Sequence, residues 1–176
     1  MSQNKPIILL DPYPRTMDLL FSKENLKYLK KNFKLITAPN KNKNNFYEKN
    51  LPKADYIFGQ PNLPSSLISK STKLKAIFNV ESNFMDNMDY DYCFRKGIHV
   101  LATSPVFAQP VAEMAMGLTL SIARSIHIAH SDFISKKEKY GGAISKNNFL
   151  IKNKTFGLIG FGDLAKSLTP ILKAFS

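Results

Sequence analysis

A chain of 176 residues, 44% hydrophobic and 22% charged, has ordinary globular composition. At about 100–200 residues per domain it holds one domain, or one and a piece of a second, and it excludes a complete large two-domain enzyme. The net charge of +12 invites a nucleic-acid reading, but 22 of the 25 basic residues are Lys, scattered among 15 Asn. Only Arg15, Arg95 and Arg124 could anchor a phosphate-reading cluster, so the excess is read as solvated surface and no nucleic-acid partner is expected.

From the N-terminus, four apolar residues (Ile7 to Leu10) precede Asp11, too few for the core of a signal peptide. The run Lys5-Pro-Ile-Ile-Leu-Leu10 reads as a buried strand stopped by Asp11-Pro12. Ser22-Lys-Glu-Asn25 is a helix cap, with Leu26, Leu29 and Phe33 following at helical spacing. Phe33 to Ala38 is a second strand, residues 40–50 a loop or weak polar helix, and Ala54 to Gly59 a third strand. Leu63 to Ser71 is a short helix with Pro64 near its first turn, and Leu74 to Val80 a fourth strand. Asp89 caps a helix over 90–96 that Gly97 ends, and Ile98 to Leu101 is a fifth strand. Cys93 is the only cysteine, so no internal disulfide forms and a reducing cytoplasm suits the chain.

Strands alternating with helices predict an α/β fold with a parallel sheet, and apolar runs without alternation predict strands covered on both faces. A long helix follows, with Pro110 at its first position and Glu113 in its first turn. Val111, Ala115, Leu118, Ile122, Ile126 and Ala129 form its predicted packing stripe. The apolar segment Val111 to Ile134 is interrupted by Glu113, Arg124 and Asp132, so no membrane span is expected. Residues 136–148 read as a loop or linker around Gly141-Gly142.

Lys154 to Ile159 then reads as a strand, followed at once by Gly160-Phe-Gly162-Asp163-Leu164-Ala165 and a helical face of Leu164, Leu168, Ile171 and Leu172. This is the G-x-G-x-x-G/A dinucleotide pattern in strand–turn–helix context. Gly160 makes the tight turn, Gly162 admits a pyrophosphate to the backbone, and Ala165 lets helix and strand pack closely. The helix N–H groups would face the phosphates. A plain structural turn has the same spacing, and Asp163 would repel a phosphate unless it points to solvent.

The order of these elements resembles the D-isomer-specific 2-hydroxyacid dehydrogenases. The resemblance is carried by Leu74 to Val80 running through Met88-Asp89 to Arg95-Lys-Gly97-Ile-His-Val100, by Pro110-Val-Ala-Glu113 with its helix, and by residues 154–175. It implies a flavodoxin-like substrate domain (1–103), a linking helix and loop (104–153), and the first β-α unit of a Rossmann NAD-binding domain (154–176). It also implies NAD (or NADP) as cofactor, a small 2-hydroxy or 2-oxo acid as substrate, and a homodimer through the linking helix. On the same resemblance, Glu81, Ser82 and Asn83 line the substrate cleft, where the commoner loop of the family carries glycines. An ordinary strand-to-helix turn is the alternative for that segment.

The family's catalytic Arg, Glu and His fall outside residues 1–176, so no catalytic residue is assigned and the chain alone is expected to be inactive. His99 is read as a satisfied strand histidine, and His127 and His130 as exposed or interface residues. No metal site is expected. The competing reading is a non-catalytic α/β module whose basic ends contact a partner or nucleic acid.

Overall fold

A computed structural model describes residues 5–142 and 148–175. Residues 1–4, 143–147 and 176 lie outside the described residues, and with them the start of the N-terminal reading and part of the predicted 136–148 linker. The chain forms two compact units, Met1–Thr103 and Ser104–Ser176.

The first unit is a five-stranded parallel sheet of order β2-β1-β3-β4-β5. Its strands are β1 (Ile7–Asp11), β2 (Lys34–Thr37), β3 (Tyr56–Gly59), β4 (Ala76–Phe78) and β5 (His99–Leu101). Between them lie α1 (Met17–Leu20), α2 (Lys23–Asn32), α3 (Lys43–Asn50), α4 (Ser65–Ile68) and α5 (Tyr90–Arg95). Ser22 caps α2 by accepting from the Asn25 N–H, and Asp89 caps α5 by accepting from the Tyr92 N–H at 2.8 Å. Residues 40–50 resolve into α3, which brings Tyr47 into the core, and a 3-10 turn at Leu51–Lys53 follows.

The chain moves one way from β1 to β2 and the other way from β2 onward. Right-handed crossovers therefore put α2 on one face and α3, α4 and α5 on the other. The core lies on the second face, where Leu9, Ile57 and Ile77 pack with Tyr47, Leu51, Leu67, Ile68 and Cys93. The opposite face departs from the expected cover on both sides. Ile8, Leu29, Phe33, Tyr56, Phe58 and Phe78 line an open apolar groove of about 380 Å³. Only the β1–β2 crossover runs on that side, and Phe21 reaches Phe58 at 4.8 Å without closing the groove.

Two buried carboxylates pin the ends of β1. Asp55 accepts the Ile7 N–H at 2.8 Å and the Lys73 ammonium at 3.1 Å, tying the starts of β1 and β3. Burial works to raise its pKa, but these donors and the nearby Lys75 outweigh it and hold the carboxyl below its ordinary value. A depressed carboxylate contributes stability that is present above its unfolded pKa and lost as pH falls through the folded value. Urea melts are therefore expected to weaken below about pH 4, and Asp55→Asn to flatten that limb while lowering stability by about 1–2 kcal/mol at pH 7.

At the other end Asp11 accepts from Lys43 Nζ at 2.7 Å and Tyr47 Oη at 3.1 Å. Burial, the Asp11 charge and this hydrogen bond push the Tyr47 phenol far above its ordinary pKa, so it stays protonated and donating.

The second unit comprises α6 (Ser104–Ala123), α7 (Ile126–Ile134) and α8 (Asp163–Lys173). It corrects three expectations. Pro110 lies inside α6 rather than at its start, because the helix begins a turn and a half earlier at Ser104. The helix does not run on to Ala129, because Ser125 adopts a left-handed φ of 52° and starts α7. The predicted stripe is also not the packing face: Leu118 and Ile122 are 56% and 65% exposed. The small residues Ala112 and Ala123 and the adaptable Met116 are buried instead, and α8 packs along the helix there.

Among the described residues α6 is long and apolar enough to span a bilayer by length and composition alone, a property it shares with core helices of globular proteins. One further expectation changes. The predicted strand at 154–159 is absent, for a strand needs a neighbour's ladder and every described sheet strand belongs to the first unit. Ile159 is consequently fully exposed.

Candidate functional site

In a sheet of this order, β1 leads outward to β2 while β3 lies on its other side. The crevice at the carboxyl ends of β1 and β3 is the topological switch point, where open α/β sheets bind ligands. Gly59 ends β3 opposite Asp11, and the loops after β1, β3 and β4 converge beyond them.

Arg15 comes from the β1 loop, Gln60 follows β3, and Glu81 and Asn83 belong to the β4 loop. Arg15 donates Nε and Nη2 to the two carboxylate oxygens of Glu81, each at 3.2 Å, in a parallel fork. Gln60 Oε1 accepts the Glu81 N–H at 3.2 Å, and Gln60 Nε2 donates to the Asn83 carbonyl at 3.3 Å. The Glu81 carbonyl accepts from the Thr103 N–H at 3.4 Å. Behind the loop, Asn79 is fully buried and its N–H donates to the Leu101 carbonyl, extending β4 toward Glu81. The predicted segment Glu81, Ser82 and Asn83 thus stands at the carboxyl edge of the sheet, held by contacts from three strands' ends.

In the second unit, Gly160 takes φ 86°, a conformation that favours glycine. Gly162 is the N-cap of α8 and supplies no side-chain cap, so the first N–H groups of the helix receive no side-chain oxygen from it. A Cβ at either glycine would meet nothing within 4 Å, so the turn is open. This backbone suits a phosphate group. Asp163 is half-buried in the first turn, Leu164 is 38% exposed and Ala165 half-buried. Beyond the turn, the described residues contain no group of His, Cys, Asp and Glu able to hold a metal.

His99 lies on β5 with its side chain exposed rather than satisfied within the sheet, because β5 is an edge strand. His127 Nδ1 lies 3.2 Å from Ser121 Oγ at the α6–α7 junction, and His130 is exposed.

The model of the family described as "D-isomer specific 2-hydroxyacid dehydrogenase, catalytic domain" matches residues 15–168. The chain belongs to that family. Dehydrogenases of this kind act on small 2-hydroxy acids with nicotinamide cofactors. Among its relatives, a hydroxypyruvate reductase of Thermotoga maritima is 41% identical over 91 residues, 52% of this chain and 29% of that protein. A glyoxylate reductase of Thermococcus litoralis is 31% identical over 113 residues, 62% of this chain and 34% of that one. A solved phosphoglycerate oxidoreductase from Rhizobium etli superposes with a TM-score of 0.82 and 38% identity, over 97% of this chain and 54% of that one. The chain therefore spans about half the length of the solved relative and matches about a third of the curated ones.

Arg15 and Gln60 escaped the sequence reading. Each is polar, follows a buried strand and lies far in sequence from its partner on the β4 loop. The available signal was the strand order, which alone makes the β1, β3 and β4 loops neighbours.

Proposed function

We propose that this dehydrogenase transfers hydride between C2 of a small 2-hydroxy or 2-oxo acid and NAD or NADP. The observation that carries the reading is the built loop cluster at the switch point of a chain whose family acts on such acids. Glu81, Ser82 and Asn83 line the substrate side, with Gln60 fixing the loop backbone. Gly160, Gly162, Asp163, Leu164 and Ala165 form the turn that holds the cofactor's pyrophosphate on the N-terminus of α8, with Asp163 directed away from it. The nicotinamide supplies the redox chemistry when bound, and this chain's residues bind and orient. Residues 1–103 serve as the substrate domain, 104–153 as linking helix and loop, and 154–176 as the first β-α unit of the cofactor domain.

The Arg, Glu and His that the family resemblance implies are not assigned to any of residues 1–176, so binding and orientation rather than turnover are assigned to these residues, and the enzyme is taken to work in the cytoplasm as a dimer paired along α6. Its exposed Met114, Leu118 and Ile122 support that pairing, which sedimentation would test. The function is tested by following oxidation of NADH and NADPH with glyoxylate and hydroxypyruvate. Turnover is expected from the chain joined to a complete cofactor domain and none above blank from residues 1–176. Robust turnover by 1–176, or none by the joined protein with any 2-oxo acid, would overturn the reading.

A further inference from the structure

The Arg15–Glu81 fork is an unusual thing to find at the rim of a substrate loop. Glu81 has its main chain fixed from both sides, by Gln60 Oε1 on its N–H and by the Thr103 N–H on its carbonyl. Its carboxylate is spent on Arg15, yet the two side chains are 31% and 33% exposed, so solutes reach the pair. An ion pair this wet shifts an equilibrium by about fivefold or less. A phosphate or carboxylate offers the guanidinium the same two oxygens in the same plane and can replace Glu81 at little cost. A neutral group gains nothing from opening the fork.

We propose that Arg15 recognises a second anionic group on the substrate and that Glu81 is its resting counter-ion. Resting on the dehydrogenase reading above, this makes the substrate class 2-hydroxy acids that carry a distal phosphate or carboxylate. Gln60 is a positioning residue that keeps the loop backbone in place when the Glu81 side chain swings away. The exchange involves no covalent step: one charge-assisted fork opens and an equivalent one closes. Lys43, also near this edge, is engaged by the buried Asp11 at 2.7 Å, whereas Glu81, which holds the Arg15 fork, is exposed enough to be displaced.

The test is a titration of the 176-residue chain with inorganic phosphate and, separately, with succinate, followed by 15N-resolved shifts of the Arg15 Nε–H and the Glu81 and Asn83 amides. Saturable shifts at these three groups are expected from at least one probe. Phosphate alone would mark a phosphorylated acid, succinate alone a dicarboxylic acid. Glu81→Gln should tighten binding by about fivefold, by removing the competing carboxylate, and Arg15→Met should weaken it by about tenfold or more. Arg15→Lys, which keeps the charge and loses the fork, should fall between and serves if the Met variant loses its β-sheet spectrum. No shift with either probe, or equal affinity in wild type, Glu81→Gln and Arg15→Met, would overturn the proposal. Neither titration involves nicotinamide or turnover, so failure here leaves the dehydrogenase reading standing, and failure of that reading leaves anion binding at Arg15 intact.

Discussion

Gly59→Ala is expected to unfold the first unit, lowering its stability by about 3–6 kcal/mol. Gly59 is the last residue of β3 and adopts φ 146°, a backbone conformation that L side chains rarely take. A Cβ there would be driven into the Asp11 carbonyl group, 2.7 Å from its carbon, with the Asp11 Cβ at 3.0 Å. The neighbour is central-strand backbone, so it cannot swing aside as a flexible side chain would. Asp11 is also the buried acceptor for Lys43 and Tyr47, and moving it would strand the Tyr47 hydroxyl in the core. Strain, clash and a broken polar network therefore add at one atom, against a total stability of about 5–15 kcal/mol for a domain. Urea titration followed by far-UV circular dichroism checks this. A Gly59→Ala midpoint within experimental error of wild type would show that β1 and β3 separate without cost, contrary to the register Asp11–Gly59.

The same strand ends show what a single sequence reveals. The five strands were legible because each is a short apolar run punctuated by Pro, Gly or a capping residue. Ser22 and Asp89 cap α2 and α5 as their spacing predicted. Periodicity does not give the order of the strands, since a parallel sheet's order is set by which way each crossover turns; the observed order came only with the resemblance to a family whose substrate domain is flavodoxin-like. The side-chain partners across that order did not come with it: Arg15 meets Glu81, 66 residues apart, and Gln60 meets Asn83. The open groove along Tyr56, Phe58 and Phe78 shares this cause, for it follows from three crossovers falling on one face.

In α6 the reading failed for a different reason. Periodicity finds the most apolar stripe, but close helix packing is decided by the smallest residues: Ala112 and Ala123 are buried beside Met116, while Leu118 and Ile122 stay exposed. The strand at 154–159 failed because sequence specifies willingness to pair, whereas a neighbouring edge must supply the pairing.

Amide exchange is expected to be at least about 100-fold faster across α6, α7 and α8 than in β1 and β3. The first unit's core contains large, fully buried side chains such as Leu9, Ile57, Leu63, Ile77 and Tyr47, each contributing about 1.5–3 kcal/mol. Among the described residues, the second unit's core cluster has Met116, Ala123 and Ile151 buried, backed by half-buried Leu120, Phe156, Leu168, Ile171, Leu172 and Phe175. Two large buried side chains fewer already amounts to about 3 kcal/mol, and a hundredfold in protection is 2.8 kcal/mol at 1.4 kcal/mol per factor of ten. Intrinsic helicity does not make up the deficit: α7 and α8 have 9 and 11 residues, below the length at which isolated helices hold in water. Pro170 inside α8 removes one more ladder bond. Hydrogen exchange read by mass spectrometry on peptides from 104–134 and 160–175, against peptides covering 5–11 and 56–59, measures the difference directly. Ile151→Ala should lower protection in α6 and α8 further, because Ile151 supplies one of the three buried side chains of that core. Equal protection in the two units would mean that small-residue packing along α6 stabilises as much as the full sheet core, contrary to the difference in buried side chains.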